Sequence, residues 1–278
     1  ERKKGQMSNQ IKRWLCTILA ALGAIFFVYF AVSFVATQNA YRHSESDLQN
    51  VMAIRGEMPH TLSKEVKSQM DEASVRAAEY EEHLARREGY QRLMVENPDM
   101  IGWIRIEGTP VDYPVMQTLD EPDYYYRRGF DREYSAYGMI YMDAVCTITE
   151  EETVSPNYIL YGHHMKNGSM FASLEQYGSE EYYKEHPFVE FDTENEFGSY
   201  EIIGAVRLPA AQLNGEFTAT LAARTEEDYE NLVRYVKEHT FYETGVDAQW
   251  PEQLLTLTTC EYTQKDGRLL VVARKKQG

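Results

Sequence analysis

A mainly β domain, either a barrel or a sandwich, is the fold class the sequence predicts, standing behind an N-terminal apolar helix. Two observations predict the β class. Short runs rich in Ile, Val, Tyr and Leu recur from Met100 onward, punctuated by Gly and Pro, and one long amphipathic helix stands out among the later runs. A third observation, the absence of any charge from Trp14 to Ala36, sets the N-terminal segment apart. The hydrophobic content of 43% and aromatic content of 13% are those of a globular chain. A net charge of −16 argues against nucleic acid as a partner, because phosphate binding is driven by Lys and Arg.

At roughly 1.5 Å per residue the run Trp14–Ala36 spans about 33 Å, enough to cross a bilayer core. Arg2, Lys3, Lys4, Lys12 and Arg13 precede it against Glu1 alone, so the positive-inside rule keeps residues 1–13 cytoplasmic and exports the remainder. A cleaved signal peptide ending near Ala31-Val32-Ser33 is the competing reading, although the apolar run is longer than a usual signal core. Residues 37–83 read as a stalk. It is polar and without clear period from Gln38 to Pro59, and helical from Leu62 to Glu96, where Val66, Met70, Ala73, Ala77, Tyr80 and Leu84 recur at steps of three or four. Leu84, Tyr90, Leu93 and Met94 are expected to pack that helix onto a domain covering 84–278.

The β runs are "MIGWIRIEG", "TPVDYPVMQ", "YGMIYMDAV", "NYILYGHH", "SYEIIGAVRL", "LLTLTTC" and "RLLVVARK". Between the fifth and sixth lies "TEEDYENLVRYVKEH", where Thr225 suits an N-cap with Asp228 as its acidic partner. Acidic residues fill the first turn of that helix, and Tyr229, Leu232, Val233 and Val236 form its apolar stripe. The last two runs flank a connection holding Asp266-Gly267, which predicts an antiparallel hairpin with Cys260 and Arg268 as neighbours at one sheet edge.

That pairing points to chemistry. Cys16 lies in the apolar span, which leaves Cys146 and Cys260 in an oxidising space, either bridged or kept as free thiols. A guanidinium beside a thiol lowers its pKa, or donates to the oxyanion formed when the thiol attacks a carbonyl. A proton carrier is available in "YGHHM", where Gly162 lets the chain leave the strand and His163 or His164 is presented. Unperturbed pKa values of about 8.5 for Cys and 6.5 for His leave roughly 3% thiolate at pH 7, so the reactive ion pair is scarce unless the site shifts them. Adjacent histidines also occur as metal ligands, but no convergent Cys/Asp/Glu spacing accompanies them, and neither metal nor cofactor is expected.

At these residues the chain resembles a sortase, most closely of class B. "TLTTC" with the downstream Arg268 is similar to the family's cysteine strand, "YGHHM" to its strand-end histidine, and "NPDMIGWIRIEGTPVDYPVMQ" and the helix before the cysteine strand extend the likeness over most of the chain beyond the stalk. The resemblance implies an eight-stranded β-barrel with an N-terminal helical segment, carrying a membrane-anchored cysteine transpeptidase. It implies Cys260 as nucleophile, His163 as general acid/base and Arg268 as oxyanion and substrate clamp, with Thr258 and Glu261 beside the substrate. The implied partners are secreted proteins bearing a C-terminal sorting motif, cleaved after Thr through a thioacyl intermediate, and an amine of the cell-wall precursor. Tyr262 stands where an acidic residue occurs in some members, so no carboxylate joins the catalytic set. Two alternatives remain open: a pilin-polymerising sortase with a Lys acceptor, and a non-enzymatic surface module in which Cys260 only packs.

Overall fold

Apolar runs that alternate with tight turns bury both faces best by closing on themselves, since closure leaves no strand edge unpaired. The computed structural model describes residues 9–56, 66, 68–148, 154–194, 196–213, 216–261 and 267–276. Arg2, Lys3 and Lys4 of the basic tail, most of the expected helix before Ser68, and Tyr262 and Asp266 of the hairpin connection lie outside the described residues. Two helices come first, α1 (Asn9–Arg55) and α2 (Glu72–Glu96). Five strands follow: β1 (Met100–Arg105), β2 (Asp112–Met116), β3 (Ile140–Met142), β4 (Asn157–Tyr161) and, after the short helix α3 (Glu180–Glu185), β5 (Phe188–Thr193). The chain continues with β6 (Phe197–Pro209), helices α4 (Glu216–Ala222) and α5 (Glu226–His239), β7 (Leu254–Glu261) and β8 (Gly267–Lys275).

The strands close into an eight-stranded barrel in the order β1-β2-β3-β4-β7-β8-β6-β5, with β5 returning to β1. Two pairings, β2 with β3 and β4 with β7, are parallel. The second sets the ends of two distant segments side by side. Its interior holds the main core, including Ile159, Leu160, Phe171, Leu257 and Val271. α5 lies against the barrel as its stripe predicts. Tyr229, Leu232, Val233 and Val236 are all buried, and the Thr225 hydroxyl oxygen accepts from the Asp228 amide at 3.1 Å.

Three features differ from the sequence reading. The segment after Ala36 is not an aperiodic spacer: α1 runs unbroken to Arg55 and buries Ser44, Asp47 and Val51 against the barrel. Its docking face opens on the polar Ser44 and Asp47 and continues with Leu48, Val51, Met52 and Ile54. Ser44 Oγ accepts from Ser135 Oγ at 2.9 Å and from the Ala136 amide at 3.0 Å, and Asp47 accepts from the Phe130 amide at 2.6 Å.

The second difference is in α2: Tyr90, Leu93 and Met94 pack onto the domain as expected, but Glu82, Arg86 and Gly89 complete the buried face, whereas Tyr80 is 66% and Leu84 40% exposed. Third, the fifth strand in chain order, "FVEFDT", carries Glu190 and Asp192 in its body and shows no clean apolar run. The second and third differences have one cause. Arg86 meets Asp192 and Glu190, Tyr90 donates to Asp192 at 2.8 Å, and Arg105 donates to Glu190 at 2.8 Å. Burial pushes the Asp192 carboxyl up to about 6, against the lowering influence of Arg86 and Tyr90. A second apolar cluster, with Val51, Leu93, Trp103 and Phe130, fills the seam between the two helices and the barrel wall.

Candidate active site

β4 carries the histidine pair to the barrel rim and β7 holds it there. In the parallel register Tyr161 lies beside Thr258, the Gly162 amide donates to the Thr258 carbonyl at 3.1 Å, and Thr259 Oγ1 donates to the Gly162 carbonyl at 2.8 Å. Glycine at 162 answers a packing demand: an added Cβ would stand 2.5 Å from both Ile140 Cδ1 and Phe171 Cδ2. Just beyond it, the two imidazoles part. His163 Nε2 lies 2.7 Å from the Tyr126 carbonyl, and its ring meets the Tyr126 ring at 4.5 Å. His164 Nε2 lies 3.4 Å from Glu175 on another side.

A carbonyl only accepts, so the contact with Tyr126 puts the His163 proton on Nε2 and leaves Nδ1 with a free lone pair in the neutral ring. Burial holds the His163 pKa below its usual value, the Tyr126 hydrogen bond opposes that shift, and Arg127 adds to it. Near neutral pH the ring is therefore an uncharged base.

On β7 and β8 the antiparallel register places Cys260 directly opposite Arg268, Thr258 opposite Leu270, and Glu261 opposite Gly267. Directly paired residues share a sheet face, and so do residues two apart on one strand. Positions 258, 260 and 268 therefore lie on one face. The half-buried Arg268 donates from Nη1 to the Gly267 carbonyl at 2.9 Å. A cavity of about 220 Å³ opens there, lined by His163, Thr258 and Arg268 together with Tyr126, Tyr141 and Tyr161. Thr258 is 3% exposed, and its hydroxyl has no hydrogen-bond partner among the described residues.

The three tyrosines escaped the sequence reading. Tyr161 donates to Asp143 at 2.9 Å, the Tyr141 ring tilts against it at a ring distance of 5.4 Å, and burial raises both phenol pKa values. One signal for Tyr161 was available: two residues before His163 on a strand is the same face. Cys146 lies elsewhere. It is a free, buried thiol, donates weakly to the Asn157 carbonyl at 3.4 Å and is pushed up to about 12 by burial, so the bridged reading of the exported cysteines does not hold.

Known proteins share this architecture. The sortase-domain family model matches residues 104–276. Sortase B of Staphylococcus aureus is 27% identical over 267 residues, 95% of this chain and 98% of its own. Sortase B of Listeria monocytogenes is 34% identical over 182 residues, 63% of this chain and 69% of its own. A solved Staphylococcus aureus sortase B–substrate complex matches with a TM-score of 0.61 and 27% identity, over 69% of this chain and 86% of that one. A sortase B complexed with triglycine matches with a TM-score of 0.58 and 28% identity, over 69% and 86%. Fold and relatives together define a transpeptidase on a closed β-barrel. The chain belongs to the sortase family, and the relatives it matches are sortases B.

Proposed function

We propose that this transpeptidase cleaves a C-terminal sorting motif of secreted proteins after Thr, with Cys260 as nucleophile, His163 as general acid/base and Arg268 as oxyanion and substrate clamp. The observation that carries the proposal is the register of Cys260 against Arg268 at a cavity that His163 and Thr258 also line. His163 Nδ1 takes the thiol proton as the sulfur attacks the Thr carbonyl, forming a C–S bond and an oxyanion that Arg268 stabilises. Collapse breaks the C–N bond, and the imidazolium returns the proton to the departing amine. An amine of the cell-wall precursor then attacks the thioester, forming a new C–N bond and releasing the thiol. The solved sortase B complexes with a substrate and with triglycine support a peptide donor and an amine acceptor here. Thr258 and Glu261 are assigned to the substrate, Thr258 through its unpartnered hydroxyl. α1 contains a stretch long and apolar enough to cross a membrane, and with the positive-inside rule it supports a single-pass anchor with the catalytic domain outside.

The divergence of the two imidazoles supplies the test. His163→Ala is expected to lose peptide cleavage by about a hundredfold or more, while Cys260 still reacts with iodoacetamide. His164→Ala, whose ring faces Glu175, keeps most activity. A dead His164→Ala enzyme contradicts the assignment. pH gives a second check. Because the His163 pKa is lowered, the base is lost only as pH falls through a value under the ordinary 6.5, so the acid limb of kcat/KM has its midpoint there. A midpoint above 6.5 contradicts the proposed role of the neutral ring. Arg268→Lys keeps charge but loses the planar fork, and is expected to raise the barrier by about 2 to 4 kcal/mol. Unchanged kinetics would reduce Arg268 to its bond with Gly267.

A further inference from the structure

His163 belongs to two cavities. Besides the one it shares with Thr258 and Arg268, it lines a larger space of about 470 Å³ whose opposite wall is α1 itself, at Ala36, Thr37, Ala40 and Tyr41. Position and charge both narrow what this space holds. The apolar run gives way after Ala36 to Thr37, Gln38 and Asn39, so the cavity opens where a membrane's polar headgroups begin. α1 is continuous past this point, and its docking at Ser44 begins about 12 Å further along the axis, which holds the cavity at that level.

The chain carries a net charge of −16, yet the charged side chains in this lining are Arg127 and Lys166, with no carboxylate among them. Glu175 meets His164 but is not part of the wall. Arg127 spends one nitrogen on the Ala136 carbonyl at 3.2 Å and lies 5.0 Å over the Tyr126 ring. Lys166 is exposed and makes no ion pair among the described residues.

We infer that this cavity binds the phosphate headgroup of a membrane lipid with net negative charge, with Arg127 and Lys166 as its anion contacts. The site rests on α1 crossing the membrane and is independent of the cleavage chemistry. A headgroup held there stands against the His163 ring, within the same wall.

The test uses the full chain in phosphatidylcholine nanodiscs doped with phosphatidylglycerol or with a polyprenyl diphosphate, and in undoped discs with inorganic diphosphate added. Native mass spectrometry of the released protein counts the bound ligand. At least one anionic lipid is expected to be retained over phosphatidylcholine. Lys166→Gln lowers that retention at least threefold, and the Arg127→Gln/Lys166→Gln pair at least tenfold. Should the pair fail to fold because Arg127 braces Ala136, the exposed Lys166→Gln change alone still decides. Equal retention by Lys166→Gln and the unaltered chain overturns the inference, as does inorganic diphosphate binding as well as the lipids. A chain that does not enter the discs overturns the membrane reading on which the site rests, an outcome that no cleavage assay would report.

Discussion

Cys260→Ala is expected to abolish peptide cleavage while leaving the barrel folded. Position 260 is the penultimate residue of β7, paired across to Arg268, and the strand's hydrogen-bond ladder depends on its backbone alone. The substitution leaves that ladder in place, so the expected loss is chemical. Without the sulfur no thioester forms, and the remaining oxyanion contacts lack a nucleophile to act on. The measurement is cleavage of a sorting peptide together with thermal unfolding of the same sample. Residual turnover within about a hundredfold of the unaltered enzyme would show that the nucleophile lies elsewhere.

The largest effect on stability is expected at Arg86, far from the cavity. Arg86 is 8% and Asp192 1% exposed, and the two meet between α2 and β5. Arg86→Ala leaves a buried carboxylate with the Tyr90 hydroxyl as its close partner among the described residues and is expected to cost about 3 to 5 kcal/mol. The sign with pH follows from Asp192. Its folded pKa is already raised above the ordinary carboxyl value, so the folded state binds the proton more tightly than the unfolded one and loses stability as pH rises through about 6. Removing the guanidinium raises that pKa further. The deficit of the variant therefore grows as pH rises through about 6 and shrinks on acidification. Urea unfolding of the full chain in detergent at several pH values checks this, and a pH-independent deficit under about 1 kcal/mol contradicts it.

What the sequence conceals follows the same physics. Seven strands announce themselves as apolar runs between turn residues, and α5 by its cap and stripe. β5 is hidden because its acidic residues serve α2, and the part of the buried face of α2 before Tyr90 is hidden because Glu82 and Arg86 form it in place of Tyr80 and Leu84. The docked half of α1 joins Leu48, Val51, Met52 and Ile54 to Ser44 and Asp47, whose hydrogen bonds with Ser135 and Phe130 appear only once the barrel exists. At the candidate site the motif-borne residues His163, Cys260 and Arg268 are legible, and so is their order. Tyr126 and Tyr141 are not, since nothing local separates them from the other members of a set of 21 tyrosines, and Tyr161 is marked only by its spacing from His163. The antiparallel β3–β4 pairing sets Tyr141 beside Tyr161, the parallel β4–β7 pairing sets Tyr161 beside Thr258, and the short helix at Tyr124–Arg127 supplies Tyr126.

The central claim is that Cys260 carries the acyl group between donor and acceptor. Intact-protein mass spectrometry, after incubation with a library of sorting peptides and no added amine, tests it most directly. The account predicts a mass increase equal to the peptide's N-terminal fragment through Thr, mapped to the segment containing Cys260, absent in Cys260→Ala and discharged when an amine is supplied. Cleavage of the same peptides with no adduct at any time point, or an adduct on another residue, would contradict it.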